Sequence, residues 1–234
     1  MGLPIQSAPK YTTVLPSDGR EVEFRPFLVK EQKALVLARE AKDTDQSLES
    51  IKTLIRAVTF DKVEPNDIPM IDLEWLFIKI RSVSVGETVN LKLVCDVEDC
   101  NGTGDVTVDL EEIKVVGEMP EEGTVMISDA VGVTLSMIKV KDIKGIDKLK
   151  QDEQIFEILK RSVVKVFDEE NVYDTKEISE SELTEFIDSL TLSQLQLLGQ
   201  FFDDAPKLSH TVSYKCNLCG EESTKTLEGL QSFF

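Results

Sequence analysis

Five residues near the C-terminus, Cys216-Asn-Leu-Cys219-Gly220, decide which fold the sequence predicts. Two thiols three positions apart, followed by a glycine, are typical of one half of a site in which four thiolates bind one metal ion. The chain has only two other cysteines, Cys95 and Cys100, and they lie far upstream. If all four bind one ion, the C-terminus must fold back onto the middle of the chain.

Both cysteine pairs resemble the tight turns, or knuckles, of a zinc ribbon. The spacing from Cys216 to Cys219 is typical, and Gly220 suits a turn that needs a positive φ. The interval from Cys95 to Cys100 is longer but still within the usual range. Each pair follows an alternating strand, so both first cysteines can emerge on the same side of a sheet. The sequence therefore predicts a structural Zn²⁺ held by Cys95, Cys100, Cys216 and Cys219.

Two other interpretations of the cysteines remain open. They can be unrelated reduced pairs, or Cys216 and Cys219 can form a redox dithiol. The redox interpretation is disfavoured because this pair follows a strand and opens no obvious helix. Asp96, Glu98 and Asp99 crowd the first pair, which favours the binding of a cation and disfavours nucleic acid.

The distance between the pairs predicts the domain organisation. More than a hundred residues separate Cys100 from Cys216. Closing such a loop costs only about 0.6 kcal/mol per doubling of its length, and zinc bound to thiolates readily offsets that cost. We therefore predict that residues 1–110 with 207–234 carry the cysteine hairpins, and that residues 111–206 form an inserted β/helical lobe. The polar segment 141–151 is interpreted as a joint between lobes.

Hydrophobic periodicity predicts an α+β fold, with short antiparallel β-hairpins packed against two groups of helices. Alternating apolar and polar residues predict strands and hairpins within residues 11–16, 21–27, 89–95, 106–110, 124–140, 166–173, 209–216 and 224–227. Apolar stripes predict helices over residues 31–41, 47–60, 72–81 and 154–164, and after capping boxes at Ser179–Glu182 and Thr191–Gln194. Asp72 is the predicted cap of the third helix.

Composition limits the classes of function. The chain has 234 residues, 41% of them hydrophobic and 30% charged, as expected of a globular protein. Its formal net charge of -18 argues against nucleic acid as a partner and fits either a merely solvated surface or a basic protein partner. No apolar run approaches the roughly 18 to 20 residues needed to span a membrane. The N-terminus lacks the pattern of a secretory signal, which indicates a reducing compartment for the thiols.

The sequence contains no pattern typical of a catalytic site. His210 is the only histidine, and its neighbour Ser209 does not make a triad, because triad members must converge in space. The run from Asn101 to Gly104 is too short and wrongly placed for a phosphate-binding loop. We therefore predict that the protein is not an enzyme.

Two stretches resemble a known family. The first, residues 20–40, contains the phrase Arg25-Pro-Phe27, and the second, residues 67–87, ends in Ser84-Val-Gly-Glu87. Followed by a strand and a cysteine pair, they resemble the T4-type bacteriophage baseplate hub proteins, a family also labelled baseplate hub assembly chaperones. The resemblance is good over residues 20–110, thinner through the middle, and returns at the C-terminal cysteine pair.

This resemblance implies a structural or assembly protein of a contractile phage tail, acting by protein–protein binding. The implied partners are other baseplate hub and tape-measure proteins, met in the host cytoplasm during assembly or in the tail baseplate of the virion. A permanent subunit and a transient chaperone both fit. The alternative is a zinc-ribbon adaptor or nucleic-acid-associated module, which the acidic charge disfavours. Trp75, Phe233 and Phe234 are candidate partner-binding residues. Trp75 can instead be a partly buried residue of the core, and the two phenylalanines can dock either into the core or into a partner.

Overall fold

The computed structural model describes residues 7–40, 44–118, 123–203 and 205–233. These residues form six α-helices and several small antiparallel sheets, which confirms the predicted α+β class. The chain divides into two compact units. The first consists of Met1–Pro65, Ile71–Val116 and Lys207–Phe234, and the second consists of Asn66–Met70 and Gly117–Pro206.

The first unit begins with a hairpin followed by three helices. The hairpin pairs β1 (Tyr11–Val14) with β2 (Glu21–Phe24), as the alternation predicts. The helices are α1 (Val29–Glu40), α2 (Thr44–Val58) and α3 (Met70–Val85). Helix α2 ends at residue 58, earlier than predicted, because Phe60 and Asp61 both have a positive φ that no α-helix can continue.

Asp72 does not cap α3 as the sequence predicts. It is the third residue of the helix and is completely buried. Its carboxylate accepts hydrogen bonds from the backbone N–H of Ser17, at 2.9 Å, and from the Ser17 hydroxyl. Burial raises the pKa of this carboxyl, while the two bonds from Ser17 act to lower it. Asp72 therefore ties the turn of the first hairpin to α3.

Two further hairpins carry the cysteines. The first pairs β3 (Thr88–Val94) with β4 (Thr103–Asp109). The second pairs β10 (Lys207–Lys215) with β11 (Glu222–Glu228), and a short strand, β5 (Lys114–Val116), joins the other edge of β10. Strand β5 is not among the strands predicted from the sequence, because three residues are too few to show an alternating pattern.

The two cysteine hairpins lie side by side through β4 and β10. At Gly104 a Cβ would come within 2.3 Å of the Tyr214 ring, so only glycine permits this approach. The Tyr214 hydroxyl then donates to the carbonyl of Val94 at 2.9 Å. Strands far apart in sequence are thus locked together just before their cysteines.

The second unit is a four-stranded antiparallel sheet with three helices. The strands, in spatial order, are β6 (Gly123–Met126), β7 (Gly132–Leu135), β8 (Val163–Phe167) and β9 (Val172–Asp174). The helices are α4 (Gln151–Ser162), α5 (Glu180–Asp188) and α6 (Leu192–Asp203). Their shared core consists of buried apolar side chains: Ile127, Val133, Leu135, Leu159, Val163, Val166, Leu183, Ile187 and Leu198.

Two predictions for the second unit are confirmed and two are wrong. Both capping boxes form: Glu182 and Gln194 accept from the backbone N–H of Ser179 and Thr191, each at the start of a helix. The strand predicted to reach residue 140 ends at Leu135, where the next N–H donates to the carbonyl of Ser162 instead. The segment 141–151 lies inside the second unit and is no joint between lobes.

Candidate metal centre

The backbone of each cysteine turn is held by its own hydrogen bonds. In the first turn, the N–H of Cys95 donates to the carbonyl of Gly102 at 3.0 Å. In the second turn, the backbone N–H of Cys216 donates to the carbonyl of Glu221 at 2.8 Å. The N–H of Gly220 donates to the backbone carbonyl of Cys216 at 3.1 Å. Gly220 has a φ of +75°, the left-handed conformation expected from its place after the second cysteine. These backbone bonds therefore fix where each turn places its two thiols.

The four sulfur atoms converge on one point. All of them lie within 4.8 Å of one another. The Sγ atoms of Cys95 and Cys219 are 3.7 Å apart, as are those of Cys100 and Cys216. The edge of a tetrahedron of thiolates around zinc is about 3.8 Å, because each Zn–S bond is about 2.3 Å long. A disulfide would need a separation of about 2.05 Å, so these pairs have the geometry of metal ligands.

Gly102 leaves room for the sulfur cluster. A Cβ at this position would lie 2.4 Å from the Sγ of Cys216, 2.7 Å from the Cβ of Leu218 and 3.3 Å from the Sγ of Cys100. Only a residue without a side chain lets the backbone approach the sulfurs so closely. Gly102 thus helps to shape the cluster, although it supplies no ligand.

A reciprocal set of hydrogen bonds joins the two turns. The backbone N–H of Asn217 donates to the carbonyl of Thr103 at 2.8 Å, and the N–H of Thr103 donates to the Asn217 side-chain oxygen at 3.1 Å. The Asn217 amide also donates to the Thr103 hydroxyl at 3.3 Å. We call this pair the Asn217–Thr103 clamp. It sets the distance between the turns, and hence between their sulfurs.

The electrostatics of the cluster favour a cation. Backbone N–H groups of Cys219 and Leu218 donate to the Cys216 sulfur and lower the pKa of that thiol to about 6. The N–H of Val97 acts in the same direction on Cys95, but burial and the neighbouring sulfurs outweigh it and raise the Cys95 pKa to about 12. Without a cation, four neighbouring thiols cannot all become thiolates, because their negative charges repel one another. A divalent cation removes this conflict because it stabilises every thiolate at once.

The acidic residues near the first pair divide into two groups. Asp96 accepts a hydrogen bond from Lys225 at 3.1 Å, and its other carboxylate oxygen lies 3.2 Å from the Tyr214 hydroxyl, whose single hydrogen it shares with the Val94 carbonyl. Glu98 and Asp99 are exposed beside the turn. His210 lies elsewhere on β10, where its Nε2 is 3.9 Å from a carboxylate oxygen of Glu112. The arrangement can hold a metal, and its donor set consists of sulfur alone.

The other candidate residues lie away from the cysteines. Trp75, on α3, is partly buried; its indole N–H donates to the Thr13 hydroxyl at 3.0 Å, and the Lys79 ammonium lies 4.8 Å from its ring centre. Phe233 is completely buried in the first unit, which is the core alternative that the sequence left open. Phe234 lies outside the described residues.

Sequence reasoning missed the residues that support the cluster. These residues are the clamp pair, Thr103 and Asn217, and two closely packed glycines, Gly102 and Gly104. None of them has a side chain of the kind that usually binds a metal. Their one sequence signal is position, since each lies within four residues of a cysteine. Their function depends on which strands become neighbours, and that is decided in three dimensions.

The fold and the site define a class: an α+β protein with a zinc-ribbon-like cluster of four thiols, built from two hairpins that are distant in sequence. The sequence matches the family described as T4 bacteriophage base plate protein over residues 8–234, nearly the whole chain. The chain belongs to this family, which indicates a structural protein of the phage baseplate and confirms the resemblance seen in the sequence. Neither a search of the curated proteins nor a search of the solved structures found a match.

Proposed function

We propose that the protein is a component of the contractile-tail baseplate hub, acting by binding other hub and tape-measure proteins, with a structural zinc ion in its first unit. The observation that carries this proposal is the family match across residues 8–234, which covers nearly the whole chain and indicates a structural protein of the phage baseplate. Such a protein acts in the host cytoplasm during assembly. If it is a permanent subunit, it is also present in the tail of the virion.

The geometry of the thiols supports zinc as the ion. The two 3.7 Å sulfur separations suit tetrahedral coordination, and an all-thiolate set is typical of closed structural sites. In such a site every coordination position is filled by protein, so zinc would stabilise the fold and take no part in a reaction. The ion would join β3–β4 to β10–β11, two hairpins from opposite ends of the inserted segment.

The metal content of the purified protein tests the zinc proposal. We expect one zinc per chain by elemental analysis after gel filtration, and a Co²⁺-substituted sample with the intense charge-transfer absorption of thiolate ligands. Purified protein with no bound metal, and with four thiols that titrate freely, would overturn it.

Co-expression with the hub and tape-measure proteins of the same phage tests the proposed partners. We expect at least one stable complex that survives gel filtration at physiological salt. The mature virion then separates two roles: a permanent subunit is found there, whereas an assembly chaperone is found only with assembly intermediates. No complex with any of these proteins across several salt concentrations would contradict the proposal.

A further inference from the structure

Large apolar side chains are exposed at the end of the first unit that carries the cysteines. We define the cysteine tip as residues 94–103 and 216–223. Leu218, between the two C-terminal cysteines, is 70% exposed, and Val94 and Val97 are 62% and 41% exposed. Large aliphatic side chains so exposed at one site are typical of a surface that another protein covers.

Strand pairing and hydrogen bonds connect the positions of Val94 and Leu218. Val94 pairs with Thr103 across β3 and β4, so their side chains share a face. Thr103 is hydrogen-bonded to Asn217 through the clamp. Leu218 is the next residue in the chain after Asn217, and its Cβ lies close to the backbone of Gly102. Val94 and Leu218 are therefore exposed on two hairpins that hydrogen bonds join.

The rim of this surface is strongly acidic. Five carboxylates belong to the tip: Asp96, Glu98, Asp99, Glu221 and Glu222. Two of them have lysine partners, Lys225 for Asp96 and Lys215 for Glu222. The other three make no ion pair within the described part of the chain. Four thiolates around one divalent ion would add a further charge of about -2.

We propose that the cysteine tip is a docking surface for a cationic segment of another baseplate protein, in which an apolar anchor is flanked by Lys or Arg. This inference rests on the proposed function and names its binding site. The exposed Leu218 and Val94 would contact the anchor, while the unpaired carboxylates would steer and orient its basic flanks. Like charges disfavour a second copy of this chain, whose own tip carries the same negative rim.

Two variants of the tip test the proposal against the hub and tape-measure proteins that the wild type captures. Leu218→Ser removes the central apolar contact and is expected to weaken binding by about tenfold or more, mainly through faster dissociation. Glu98→Lys with Glu221→Lys reverses two rim charges. It is expected to slow association and to flatten the salt dependence of the affinity.

Matched controls come from the second unit. Leu192 is 78% exposed, so Leu192→Ser removes a comparable apolar side chain far along the chain from the tip. Glu169 and Glu185 are exposed, and Glu169→Lys with Glu185→Lys makes the same change of net charge. We expect wild-type affinity from both controls. The metal content of every variant is measured first. Binding is then compared only among variants that contain as much metal as the wild type.

The outcomes distinguish the inference from the proposed function. If the wild type binds none of the probe proteins, the proposed function fails and the docking surface with it. If the wild type binds and the tip variants bind equally well, the docking surface is wrong and the proposed function stands. If sedimentation shows a wild-type dimer that Leu218→Ser dissociates, the surface joins two copies of this chain and the proposed partner is wrong.

Discussion

The cysteine hairpins of the first unit and the β6–β9 sheet of the second unit are both built from short antiparallel strands, but different interactions stabilise them. Strand β3 alternates along its length between exposed and half-buried residues, and only Cys95 beyond its end is fully buried. Strand β7 buries all four of its residues. Apolar burial is thus ample in the second unit and sparse at the cysteine tip. There, the clustered thiols, the Asn217–Thr103 clamp and Tyr214 hold the two hairpins together.

This difference between the two units explains how the fold accommodates a long segment between the two cysteine hairpins. The second unit has its own core, assembled from residues 127–198, and does not need the cysteines to bury its apolar side chains. The hairpins around the thiols, in contrast, bring together residues more than a hundred positions apart. Perturbations of the metal site and of the apolar core should therefore affect different units.

The largest expected effect comes from Cys216→Ser. Loss of one thiolate should abolish stoichiometric metal binding, because structural zinc contributes about 10–16 kcal/mol of apparent binding free energy in small zinc-dependent folds. Hydrogen exchange should show loss of protection in β3, β4, β10 and β11, while the second unit stays protected. His210→Gln is the control and should keep its metal. A variant that retains one zinc per chain would show that Cys216 is not a ligand.

Leu135→Ala should perturb the other region. Leu135 is completely buried in the core of the second unit, and such truncations cost about 2–5 kcal/mol in unfolding free energy. Urea unfolding should show this loss, with the metal content unchanged. Leu192→Ala, at an exposed position, should cost much less. Release of metal by Leu135→Ala alone would mean that the two regions are not independent.

Gly102→Ala should weaken metal binding without removing a ligand. The new methyl group would lie 2.4 Å from the Cys216 sulfur and must displace it. We expect the apparent affinity for zinc, measured by chelator competition, to fall by about tenfold, since changes to residues that position metal ligands typically cost 10- to 100-fold.

Gly220→Ala is the control for Gly102→Ala. Its Cβ would meet nothing within 4 Å, so its cost is the strain of a positive φ alone, about 1 kcal/mol in stability. If Gly102→Ala bound zinc as tightly as Gly220→Ala, close backbone approach would not be what shapes the cluster.

The smallest expected effect comes from Ser179→Ala at the N-cap of α5. The Ser179 hydroxyl accepts from the N–H of Glu182, and loss of such a cap costs about 1 kcal/mol. The loss should appear in the unfolding of the second unit, with no change in metal affinity. Ser181→Ala, at an exposed position in the same turn, serves as control and should be nearly neutral.

Local patterns in the sequence predicted most of the elements. Alternation identified β3 and β10 and placed Cys95 and Cys216 at their ends, and the capping boxes at Ser179 and Thr191 are both present. The errors are also informative. Asp72 has the chemistry of a helix cap, yet it bonds to Ser17, more than fifty residues away. β7 ends at Leu135, which pairs with Val163, the first residue of β8; the residue before it, Ser162, already belongs to α4, and no pattern local to β7 reveals that.

The sequence by itself indicated the donor chemistry, the class of fold and the family, because thiol spacing, hydrophobic period and the match to the family are all properties of the linear chain. Only the tertiary structure decided that the four sulfurs meet, that Gly102 and the clamp shape their cluster, and that Val94 and Leu218 are exposed on two hairpins that hydrogen bonds join. The physical reason is that these relations depend on which distant strands become neighbours. That choice is set by the summed packing of the whole chain and is encoded in no single segment.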